Sequence, residues 1–141
     1  MKSAVTFLTF NGNCRQAMEF YRDCFGASLF LLPVTDAPVD AAWKALAGDR
    51  ILHATLSKGD TILMAADSHP AASFQPGNNI SVFVHCENAE ELKRLFSAFA
   101  AGGTVTVPPQ DMFWGARFGE VTDRFGVHWM FSFALPATDQ N

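Results

Sequence analysis

Few side chains in this sequence could do chemistry. There are four histidines, His53, His69, His85 and His128, and three cysteines, Cys14, Cys24 and Cys86. The cysteines form no CxxC pair, so they signal neither a disulfide framework nor a thiolate zinc site, and buried free thiols are the expectation. Cys14 stands where a helix should begin, a place that can lower a thiol pKa, yet the sequence locates no base beside it. No serine lies in a GxSxG elbow, and no GxGxxG or P-loop run prepares a nucleotide site. No cofactor is therefore expected.

Two regions hold more promise. A two-residue turn at Lys58-Gly59 pairs Ser57 with Asp60 and, counting back, sets His53 across from Met64, so that both side chains share one sheet face. An imidazole there could serve as acid, base, ligand or hydrogen-bond donor. The second region is Gln110-Asp111-Met112-Phe113-Trp114-Gly115, which mixes polar groups with flat apolar surface suited to a small organic ligand. Phe113 and Trp114 could stack on that ligand, or simply close one end of the core. Arg117 could grip an anionic group, or pair with Asp111 or Glu120 at the surface.

The elements that must position these groups follow from local signals. Ala4 to Phe10 is strand-like; Asn11-Gly12-Asn13 breaks it, with Asn13 as helix cap and Gln16 as its capping-box partner. Ala17, Met18, Phe20, Tyr21, Cys24 and Phe25 recur at helical spacing, and Gly26 stops the helix, giving Cys14 to Phe25. The same grammar returns 75 positions on, since Asn88 stands to Ile80–His85 as Asn13 does to the first strand. Glu91 completes that second capping box, Leu92, Leu95, Phe96 and Phe99 form the stripe, and Gly102-Gly103 ends the helix.

Three candidate strands follow each helix: Ser28 to Pro33, Ile51 to Ser57 and Thr61 to Ala66, then Thr104 to Val107, Ala116 to Thr122 and Val127 to Phe133. Asp123-Arg124-Phe125-Gly126 fits a type I turn. Each half thus reads βαβββ, with units over about 1–67 and 78–135 and a Pro- and Gly-containing linker over 68–77. The first unit carries an insertion, 35–49, in which Asp40 to Ala47 could form a short helix; its Trp43 either packs on the sheet or closes a pocket as a lid.

A chain of 141 residues with 49% hydrophobic and 17% charged content can pack a core as one domain. The net charge of -4 and the lack of a basic stripe argue against nucleic acid as a partner. No apolar run approaches the roughly 20 residues that span a bilayer, and no leader pattern opens the chain, so a cytoplasmic, membrane-free protein is expected.

The two βαβββ units, the stretch NGNCRQAMEFYRDCFGA and the run FWGARFGEVTDRFGVHWMFSF together resemble the PhnB-like branch of the vicinal-oxygen-chelate superfamily, which includes glyoxalases, bleomycin-resistance proteins and dioxygenases. The resemblance implies an α+β fold of curved mixed sheets around a concave pocket, usually completed by homodimerisation. It also implies metal ligands on the first and last strand of each unit. Those positions fall at Thr6, Met64, Ser81 and Met130, where two thioethers and two neutral hydroxyls suit neither zinc nor magnesium. No metal site is expected, although a divalent ion held elsewhere stays open.

On this alignment Ser81 lies beside Met130, which puts His85 and His128 six residues, or roughly 20 Å, apart. His53 with His128 remains a workable pair, and His69 falls in the linker.

The resulting expectation is a homodimer that binds a small organic molecule without metal, in a pocket lined by Thr6, His53, Met64, Ser81, Phe113, Trp114, Arg117 and Met130. The alternative is a lyase or dioxygenase-like enzyme, with His53 aided by His128 or Glu120 in metal or acid-base chemistry. A third reading is a structural partner protein whose own aromatics fill the pocket.

Overall fold

A computed structural model describes residues 1–137. The elements run β1 (Phe7–Phe10), α1 (Cys14–Phe25), β2 (Ser28–Pro33), a 3-10 turn (Val34–Asp36), α2 (Ala41–Ala47), β3 (Ile51–Lys58) and β4 (Asp60–Asp67). They continue with β5 (Val82–His85), α3 (Ala89–Ala100), β6 (Thr104–Met112), β7 (Ala116–Thr122) and β8 (His128–Ala134). Two compact units result, one over Met1–Gln75 and one from Pro76 onward. Each is a four-stranded mixed sheet with a helix on one face, ordered β1-β4-β3-β2 in the first and β5-β8-β7-β6 in the second. The fold is α+β, with two tandem βαβββ units.

In the first unit α1 lays Cys14, Ala17, Met18 and Tyr21 on the sheet face that carries Ala54, Leu56, Leu63 and Ala65, all at most 1% exposed. Alternation along the strands leaves the other face without a helix. In the second unit α3 buries Leu92, Leu95, Phe96 and Phe99 against Val121, Trp129 and Phe131. Phe99 meets Trp129 and Phe131 edge-on at 4.9 and 5.1 Å between ring centroids, the geometry that aromatic quadrupoles favour. A Cβ at Gly119 would lie 2.8 Å from the Phe96 ring, so α3 packs this closely only because β7 carries a glycine there.

The helix bounds match the sequence signals. Gly26 ends α1 in the left-handed conformation, Asp40 caps α2 by accepting the Trp43 amide, and Asn88 caps α3 by accepting the Glu91 amide. The Asp123–Gly126 turn forms with Gly126 at φ 86°.

Three local expectations are corrected. Asn13 occupies the cap position of α1 but its side chain accepts no cap hydrogen bond; Asp67 at the end of β4 takes that place, its Oδ1 accepting from the Gly12 and Cys14 amides at 2.8 and 3.0 Å. β6 extends through Pro108 and Pro109 to Met112, so Gln110 and Asp111 lie in a strand. Proline is tolerated because β6 is an edge strand, and register breaks at Val105/Val107 and Val107/Gln110 absorb the lost donors. The Lys58-Gly59 turn is tighter than a two-residue loop, because Lys58 pairs with Asp60, and a bulge follows between Leu56 and Ser57.

Candidate functional site: the open sheet faces

The turn and bulge together move the β3–β4 register by two residues, so Met64 stands across from Thr55, and His53 pairs with Leu32 of β2. Because the displacement is even, His53 keeps the face of Met64. On β1 the partner of Met64 is Phe7. Thr6 precedes the strand and offers its carbonyl to the Met64 amide at 3.0 Å, which by alternation directs its side chain away from Met64's face. The helix-free face of the first unit therefore carries Phe7, Phe30, Leu32, His53, Thr55, Ile62 and Met64. Phe7 and Phe30 are 51% and 57% exposed.

His53 is the polar centre of this face. Its Nε2 lies 2.9 Å from Thr55 Oγ1, and its ring lies 6.2 Å from that of Phe7. Trp43 of α2 lies against His69, with ring centroids 4.3 Å apart and the rings tilted by 33°.

The second unit repeats the plan. Met130 pairs with Phe83 on β5 and with Glu120 on β7. Ser81 lies ahead of β5 and two residues from the position beside Met130, so the expected Ser81–Met130 register is corrected to Phe83–Met130. His85 accordingly pairs with Ser132, four residues from His128, which shortens the expected separation of these histidines to about 13 Å along the strands.

His128 has both ring nitrogens engaged. Nε2 meets the Gly77 carbonyl at 3.1 Å, an atom that can only accept, so Nε2 carries the proton and Nδ1 accepts from the Thr122 hydroxyl at 2.8 Å. His85 lies against Phe83, with ring centroids 4.7 Å apart. Phe83 reaches Phe118 at 6.4 Å, and Phe118 meets Trp114 edge-on at 5.9 Å. Phe113 and Trp114 sit on the β6–β7 turn, 96% and 55% exposed.

Arg117 is not part of this face. It alternates with Gly119 and Val121 toward α3, and its Nε donates to Asp111 Oδ1 at 2.7 Å. The pair lines a groove of about 590 Å³ between α3 and β6, with Glu90, Lys93 and Phe96. The Arg117 guanidinium holds the Asp111 carboxyl below its ordinary pKa. Of the two roles open to Arg117, surface pairing with Asp111 is the one formed.

Cys14 and Cys86 are poor nucleophiles. Burial, reinforced by the nearby Asp67 charge, pushes Cys14 up to about 12, and burial pushes Cys86 up to about 11. The helix-start effect considered for Cys14 is thus outweighed, since Asp67 already holds the amides that would stabilise a thiolate. Among the described residues no three His, Cys, Asp or Glu side chains cluster as metal ligands. Of the positions where the resemblance implies ligands, Met64 and Met130 have Phe7 and Phe83 as their strand neighbours, and these thioethers and rings do not fit a divalent ion.

Sequence reasoning missed Phe7, Phe83 and Asp67. Phe7 and Phe83 occupy corresponding places beside Met64 and Met130, a parity visible once the pairing is known. Asp67 could have been suspected as an acidic residue closing an otherwise apolar strand.

Comparison with known proteins agrees with this architecture. Residues 2–132 match the family described as 3-demethylubiquinone-9 3-methyltransferase. Protein YjdN of Escherichia coli is 32% identical over 135 residues, spanning 88% of this chain and 90% of its own length. The crystal structure of protein PA1353 from Pseudomonas aeruginosa shares 41% identity at a TM-score of 0.86, covering 96% of this chain and 99% of that one. A putative 3-demethylubiquinone-9 3-methyltransferase, PhnB protein, from Bacillus cereus is 25% identical at a TM-score of 0.76, covering 94% and 100%. A glyoxalase/bleomycin resistance protein/dioxygenase family enzyme from Burkholderia phytofirmans, 14% identical at a TM-score of 0.66 and covering 93% and 97%, shares the fold. With two tandem βαβββ units and a match over nearly its whole length, the chain belongs to the 3-demethylubiquinone-9 3-methyltransferase, or PhnB-like, family within the glyoxalase/bleomycin-resistance fold.

Proposed function

We propose that this protein binds a small organic molecule on the open faces of its sheets, as a cytoplasmic homodimer and without a divalent metal. The observation that carries the reading is the composition of those faces. Each centres on a methionine flanked by a half-exposed phenylalanine, Met64 with Phe7 and Met130 with Phe83. Exposed aromatic surface of this kind favours cover by a ligand or a second chain. His53, hydrogen-bonded to Thr55, supplies an orienting polar contact. The buried thiols Cys14 and Cys86 suit a reducing compartment, and no helix among the described residues is long and apolar enough to cross a membrane.

The methyltransferase in the family description implies a methyl-donor cofactor. The two strand-to-helix turns offer no free amide cradle for one: Asp67 occupies the amides ahead of α1, and the Asn88 and Glu91 side chains occupy those ahead of α3. These residues do not fit such a group, and no chemical step is assigned through it.

The test is a thermal-shift screen of aromatic compounds, aldehydes, small phosphonates and divalent metals, coupled to metal analysis of protein purified without chelator. Stabilisation by an organic compound, lost in Met64→Asp or Met130→Asp, is expected. A stoichiometric divalent ion would overturn the metal-free reading. A His53-centred lyase or dioxygenase would instead lose turnover in His53→Ala, and the binding reading expects ligand affinity to change with no turnover to lose.

A further inference from the structure

The two open faces are built alike but differ in charge. Counting from the methionines, Thr55 in the first unit corresponds to Glu120 in the second, since each pairs directly with its methionine. The structure assigns to Glu120 a binding subsite for the positively charged group of an organic ligand, an ammonium carried next to an aromatic or apolar body. This inference rests on the binding function proposed above and specifies its ligand class.

Glu120 has Met130 on one side and Val107 on the other, with Phe118 two residues along the same strand and face. Its side chain is half-buried, on a stretch of the face shared with a thioether, an aliphatic chain and a ring. It gains most from a cation that is itself weakly hydrated. Among the described residues Glu120 has no hydrogen-bond or ion-pair partner. The other acidic groups of the sheet are committed: Asp111 to Arg117, and Asp123 to the Phe125 and Val127 amides and the Trp129 indole. The nearest cation on β7, Arg117, points to the opposite face and is already paired. By strand alternation no Lys or Arg shares the face of Glu120.

The rings complete the site. Phe83 and Phe118 approach to 6.4 Å in a tilted pair and Trp114 meets Phe118 edge-on at 5.9 Å, so aromatic rings cluster on the sheet face that Glu120 shares. A cation seated over the outward face of one of these rings is attracted by its quadrupole, which adds to the carboxylate's pull. An anionic ligand would meet repulsion from Glu120, which sets this inference apart from the anion-gripping role that Arg117 suggested in the sequence.

Three probes of nearly equal shape test it by titration calorimetry: benzyltrimethylammonium, neopentylbenzene and phenylmethanesulfonate. The cation is expected to bind at least tenfold more tightly than the neutral compound, and the anion least. Glu120→Gln should cost the cation about tenfold and leave the neutral probe within twofold, with thermal unfolding confirming an intact fold. Phe118→Leu should weaken the cation several-fold. Equal affinity for cation and neutral probe, preference for the anion, or an undiminished cation preference in Glu120→Gln overturns the inference while leaving small-molecule binding in place. Failure of all three to bind would instead overturn the binding reading beneath it.

Discussion

The two units reach the same βαβββ plan by different means at the start of their helices. In the second, the cap is local: Asn88 accepts the Glu91 amide at 2.8 Å and Glu91 reaches back to the Glu87 amide at 3.1 Å. In the first, the cap comes from across the sheet. Asp67 accepts the Gly12 and Cys14 amides through Oδ1 and the Ile51 amide, 2.8 Å away, through Oδ2. One buried carboxylate thereby ties β4 to the start of α1 and the start of β3. The second unit places its own buried carboxylate, Asp123, in the β7–β8 turn. Repeated folds can thus keep their topology while moving the residue that holds it together.

The largest expected effect follows from removing Asp67. Asp67→Ala leaves three amides without their acceptor, two of them in buried bonds, and should lower unfolding free energy by about 3 kcal/mol or more in urea titrations. Asp67→Asn keeps one oxygen acceptor and should fall between. A loss as small as that of a local cap would break the comparison.

Asp123→Ala should rank next, at about 2–3 kcal/mol, because the Trp129 indole N–H is buried with it. Its effect should be concentrated in the second unit, as hydrogen exchange of β7 and β8 amides would show.

Alkaline pH sharpens the contrast further. Cys14 rises from 9.0 to about 12 and Cys86 to about 11. A folded pKa above the unfolded one gives stability that is complete below pH 9 and falls as pH climbs through the folded values. Stability should therefore decline from about pH 9 to 12, by at most about 1.4 kcal/mol per pH unit per thiol. Cys14→Ala should remove the larger share. A stability profile flat across that window would contradict the burial of both thiols.

Asn88→Ala, the local counterpart of Asp67→Ala, should cost only about 1 kcal/mol. Smallest of all, Arg117→Gln breaks an exposed pair and should leave the unfolding midpoint unmoved.

Much of this was legible in the sequence because it is encoded locally. Gly26, Asp40, Asn88 and the Asp123–Gly126 turn announce their elements within a few residues, and the structure places them where those signals do. The candidate site was harder to read, because it depends on which residues meet across strands. His53 and Met64 share a face as expected, but through Thr55 and not by direct pairing. Thr6 and Ser81 gave way to Phe7 and Phe83 as the neighbours of the two methionines.

By itself, then, the sequence determined element order, helix ends, the duplicated unit and the poor metal-ligand chemistry of the methionine positions. These depend on residue type and short-range spacing. Tertiary structure decided the register of β1, β4 and β5, the capping of α1 by Asp67, and the placing of Arg117 and Glu120 on opposite faces of β7. The physical reason is that side chains alternate along a strand, so one residue of slip reverses a face. Bulges and pairings between residues distant in sequence set that slip.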